Sequence, residues 1–94
     1  MSIAGQKQVE VYYAGRVQGV GFRVNAQQIA RRYTVSGFVR NLPDGRVHLL
    51  AEGAPDQVEQ LLADIADSMS GNITTAETQS RGATGKYVGF SIAG

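Results

Sequence analysis

Between Gln8 and Ala14 apolar and polar positions alternate, with Val9, Val11 and Tyr13 set against Glu10 and Tyr12. That period of two predicts a half-buried β-strand. From Phe22 the period lengthens: Phe22, Ala26, Ile29, Ala30 and Tyr33 recur at helical spacing and predict a helix over 22–33 with one apolar stripe. Val35 to Leu42 reads as a second strand, rich in β-branched and aromatic residues. Leu42-Pro43-Asp44-Gly45 is then a turn, because proline presets φ and glycine accepts a positive one. Arg46 to Glu52 continues as a third strand with Val47, Leu49 and Ala51 on one face, which closes a hairpin. A second helix opens at Gly53-Ala54-Pro55-Asp56, carries the stripe Val58, Leu61, Leu62, Ile65 and Met69, and meets a stop at Gly71. Ile73–Arg81 and Tyr87–Ile92 complete the pattern as strands, separated by a loop over Gly82–Gly85.

The order is β-α-β-β-α-β with a further edge strand. Each helix has a single apolar stripe, so both must cover one face of an antiparallel sheet of four to five strands. The expected class is α+β, a ferredoxin-like split β-α-β sandwich formed by one domain over 1–94, with residues 1–7 as a candidate disordered N-terminus. Such a fold hosts many functions and decides none of them.

Composition narrows the field. Ninety-four residues make one small domain, and 43% apolar content argues for a packed core. Net charge is +1 with the charges scattered, so a broad basic field for nucleic acid is absent. There is no cysteine, which removes disulfides, thiol nucleophiles and thiolate metal sites. No apolar run approaches membrane-spanning length. The expectations are therefore a cytoplasmic protein with no membrane or nucleic-acid partner, no cofactor and no metal, and a monomer as the simplest assembly.

Chemistry concentrates in two segments. Gly15-Arg16-Val17-Gln18-Gly19-Val20-Gly21-Phe22-Arg23 lies between the first strand and the first helix. Three glycines in seven residues let backbone N–H groups approach a ligand, and a helix start adds unpaired donors and partial positive charge. Arg23, in the first helical turn, carries a planar fork suited to phosphate oxygens. The expected anion cradle comprises Gln18, Gly19, Val20, Gly21, Phe22 and Arg23. The second segment is Gly37-Phe38-Val39-Arg40-Asn41-Leu42-Pro43-Asp44-Gly45. If the first and third strands are central neighbours, Asn41 closes the second strand at the edge that holds the cradle. Its carboxamide can accept from a water and donate to an oxyanion at once. His48 has no carboxylate, serine or second histidine placed along the chain to partner it and reads as a surface or packing histidine, and Glu52 as a strand-end residue.

Together these two motifs resemble the acylphosphatase family, with Val47 and Gly53 also at the family's spacing. Val24 and Asn25 depart from it, since an aromatic usually follows the motif arginine. The resemblance implies metal-free hydrolysis of an acyl phosphate to a carboxylate and inorganic phosphate, the latter also a competitive inhibitor. It further implies that Arg23 binds the phosphoryl group and Asn41 positions the attacking water. An alternative is a non-catalytic anion-binding regulatory domain of the same fold. An RNA-binding module, a second alternative, would need aromatics on the first and third strands, and the third has none.

Overall fold

The computed structural model describes residues 4–93. Of the candidate disordered residues 1–7, Met1–Ile3 lie outside that range and Lys7 already opens a strand. The elements run β1 (Lys7–Gly15), α1 (Phe22–Ala30), β2 (Val35–Asn41), β3 (Val47–Gly53), α2 (Pro55–Ser68), β4 (Ile73–Gly82) and β5 (Phe90–Ala93). Among the described residues they form one sheet in the order β4-β1-β3-β2-β5. As the split β-α-β arrangement requires, β1 and β3 are central neighbours, with Val9 opposite Ala51 and Val11 opposite Leu49. These residues, with Tyr13, Val39 and Val47, meet Phe22, Ala26 and Ile29 of α1 and Val58, Leu61 and Ile65 of α2 in one core. Truncating a fully buried member such as Leu61 to alanine removes about 2–5 kcal/mol.

Two departures bear on the site. β1, β3, β2 and β4 pair antiparallel as expected, but β5 lies parallel to β2, Gly37 opposite Phe90 and Val39 opposite Ile92. It also starts at Phe90, not Tyr87, because Gly89 turns left-handed (φ 69°) and interrupts the extended run. Val88, in the loop before it, is fully exposed. α1 likewise stops at Ala30, and Tyr33 reaches the core through a tighter turn in which its N–H donates to the Ala30 carbonyl. From there the Tyr33 hydroxyl donates to Asp64 of α2.

The face of β3 opposite the helices is buried as well, although the alternation marks it as the polar side. β4 and β5 are opposite edges of the sheet, so the segment Ala83–Gly89 must cross from one to the other. It crosses on that second face and is pinned at Glu52, which is only 2% exposed. The Glu52 carboxylate accepts from the Gln8 carboxamide (2.6 Å), the Thr84 N–H (2.9 Å), the Thr84 hydroxyl (2.8 Å) and the Gly85 N–H (2.9 Å). Burial pushes its pKa up, the four donors outweigh that, and the net effect is a carboxyl held below its ordinary value.

His48 is part of the same face, 3% exposed, and its neighbours overturn the reading that it lacks a carboxylate partner. Glu10, on β1, stands 3.0 Å from Nε2, and Arg40 Nε donates to Nδ1 at 3.1 Å. The ring therefore carries its proton on Nε2 and is neutral, stacked on Tyr12 at 4.4 Å. Burial first, and the Arg40 charge after the opposing pull of Glu10, lower its pKa. Period-two patterning places Glu10 and His48 on one face but leaves their register unstated.

Candidate active site

The glycine-rich loop is held in place from two sides. At its start, the Arg16 N–H donates to the Asn72 carbonyl (2.9 Å) and the Asn72 carboxamide donates back to the Arg16 carbonyl (3.0 Å). In its middle, the Gln18 carboxamide donates to two carbonyls of the β2–β3 turn, Leu42 (2.8 Å) and Arg46 (2.9 Å). That turn has its own brace: Asp44 accepts from the Arg46 N–H (3.1 Å) and from Arg46 Nε (2.9 Å). The loop and the end of β2 are thus fastened together, and this brings Asn41 beside the cradle.

The loop ends at Gly21, the N-cap of α1, at φ 79°, and Gly19 has φ 74°. A side chain at either position would be strained by the backbone angle, yet its Cβ would meet no atom within 4 Å. The space beside the loop is open. α1 has no side-chain cap and no acidic residue in its first turn, so its leading N–H groups face outward with their partial positive charge uncompensated. Such a terminus suits an anion.

One pocket gathers these features. Gly19, Gly21 and Phe22 supply its backbone wall, Arg23 and Asn41 its polar side chains, and Val17, Val24 and Ile92 its apolar surface. Arg23 takes part in none of the ion pairs formed among the described residues. Asn41 Oδ1 is buried without a hydrogen-bond partner. An unpaired buried acceptor costs about 1–3 kcal/mol, and it is the one such side-chain atom found among the described residues. Asn41 lines the pocket, so a donor delivered there would satisfy it. The turn does not need Asn41, because Asp44 holds it.

The structure brings together Gly19, Gly21, Phe22, Arg23 and Asn41. Gln18 and Val20 do not line the pocket, and the Gln18 side chain serves as the fastening to the turn. Sequence reasoning missed Val17, Val24 and Ile92. Ile92 arrives through the parallel pairing of β5, which period-two patterning does not specify. No group of three or more His, Cys, Asp or Glu residues that could hold a metal occurs among the described residues. Burial pushes the Tyr13 phenol, packed against Phe22, far up and keeps it neutral. The chemistry available is phosphoryl binding by N–H donors and a guanidinium, with a carboxamide to orient a nucleophile.

Residues 9–92 match the model of the acylphosphatase family. The chain is 40% identical over 87 residues to an acylphosphatase of Methylococcus capsulatus, covering 92% of this chain and 95% of that protein. It is 37% identical over 93 residues to one of Salinibacter ruber, covering 98% of each. The crystal structure of acylphosphatase from Bacillus subtilis superposes with a TM-score of 0.83 at 29% identity, covering 93% of this chain and 98% of that one. The chain belongs to the acylphosphatase family, hydrolases that act on acid anhydrides. In the described residues no helix is long and apolar enough to cross a membrane.

Proposed function

We propose that this member of the acylphosphatase family hydrolyses acyl phosphates in the loop–helix pocket, with the backbone of Gly19, Gly21 and Phe22 and the Arg23 side chain holding the phosphoryl group and Asn41 holding the water. The observation that carries the assignment of roles is the meeting of an unpaired guanidinium, an uncapped helix start and an orphaned carboxamide oxygen in one pocket. Transfer of a phosphoryl group spreads charge over its equatorial oxygens, so positioning and charge stabilisation do most of the work. N–H donors aimed at that charge are worth roughly 3–4 kcal/mol each in the transition state. Water accepted against Asn41 Oδ1 presents its oxygen to phosphorus. The P–O bond to the acyl group breaks, its electron pair leaves on the carboxylate, and the protons of the water stay with the phosphate product.

A carboxylate leaves readily, so neither a general acid nor a metal ion is required by the reaction. Hydrolysis of benzoyl phosphate, followed by absorbance with and without EDTA, tests this directly. Turnover that survives the chelator and is inhibited competitively by inorganic phosphate supports the reading. No turnover, or turnover lost with EDTA, ends it. The pocket is built within one chain, which suits a monomer, and light scattering checks that.

A further inference from the structure

Large apolar side chains exposed on the described surface are Val20, Val24, Ile92 and Val88. Two of them, Val24 and Ile92, line the pocket that holds Arg23 and Asn41, and Val20 stands in the loop beside it. Val24 follows Arg23 on α1 and is 52% exposed; Ile92, from β5, is 36% exposed. These two come from separate elements and reach the same opening. Arg23 is the one charged residue in the lining. Once its fork is committed to the phosphoryl group, the lining has no cation left for a second anionic group on the substrate. A carboxylate or phosphate pressed against the two side chains would lose hydration without a partner. A phenyl or alkyl group placed there would instead be removed from water together with their methyl groups.

We propose that Val24 and Ile92 form an apolar acyl subsite, so that this chain selects acyl phosphates with an uncharged aromatic or aliphatic acyl group over those bearing a second carboxylate or phosphate. The inference rests on the hydrolase reading above for its substrate, but it is tested separately. Phenacylphosphonate and acetonylphosphonate replace the bridging oxygen of benzoyl and acetyl phosphate by a methylene and are not hydrolysed. Calorimetry should show the phenacyl compound binding roughly five- to tenfold more tightly. Val24→Ser and Ile92→Ser should each shrink that ratio severalfold, and Val24→Lys should raise the kcat/KM for succinyl phosphate relative to benzoyl phosphate. Circular dichroism checks that each variant is folded.

Equal affinities for the two phosphonates in the unaltered protein overturn the subsite, even if benzoyl phosphate is hydrolysed. A preference that survives both serine substitutions overturns the assignment to these residues. The phenacyl preference with no turnover of any acyl phosphate would leave the subsite standing and end the hydrolase reading instead.

Discussion

Two ends of the same sheet gather hydrogen-bond donors around an anion's place, and they differ in who supplies the anion. At the β3 end, the Gln8, Thr84 and Gly85 donors converge on Glu52, and the protein fills its own site. At the β2 end, the glycine-rich loop, the start of α1 and Arg23 converge on a pocket into which no carboxylate of the described residues projects. The first arrangement fastens a crossing segment to the sheet. The second is left for a ligand. Convergent donors alone therefore do not mark a functional site, and the absence of an internal acceptor is what separates the two.

The sharpest way to break that contrast is to spoil the open end. Arg23→Lys keeps the charge but loses the two-pronged fork, and kcat/KM for benzoyl phosphate should fall about 10³-fold with the fold intact by circular dichroism. Asn41→Ala should follow at about 10²-fold in kcat while competitive inhibition by phosphate persists; loss of phosphate inhibition in step with kcat would make Asn41 a support for the cradle instead. At the closed end the effect should be on stability. Glu52→Ala strands the Thr84 and Gly85 N–H groups and should cost about 2–4 kcal/mol in urea denaturation.

Acid should act on the closed end in the same way but more weakly. Glu52 has a lowered pKa in the fold, so its contribution is complete above the unfolded-chain value near 4.5 and is lost as pH falls through the lower folded value. Glu52→Gln should flatten the stability profile in that window. His48, also lowered, acts earlier: the unfolded chain takes up a proton near 6.5 while the buried ring resists. A small decline in stability should therefore begin as pH drops below about 6.5, and His48→Gln should remove it.

Much of this was legible in the chain. The alternation of Val9, Val11 and Tyr13, the stripes of both helices and the Pro43-Asp44-Gly45 turn are local signals, and local spacing was enough to read them. The cradle was legible for the same reason, since its glycines and Arg23 are neighbours in sequence. What escaped depends on distant pairing. Ile92 lines the pocket only because β5 pairs parallel to β2, and Glu10 meets His48 only through the β1–β3 register. Glu52 looked like a strand end because its donors lie more than thirty residues further on, apart from Gln8. Gln18 reads as part of the cradle because it lies within the glycine-rich segment, and only the folded chain shows its carboxamide turned towards the hairpin.

That carboxamide has a consequence for how the pocket meets its ligand. Both of its N–H bonds are committed to carbonyls on the far side of the site, so the loop and the strand end that carries Asn41 cannot wander independently. The disorder they would otherwise have is surrendered while the chain folds, long before a substrate arrives. Encounter then requires little further freezing of the protein, and binding free energy that a floppy loop would dissipate in ordering itself remains available at the phosphorus atom.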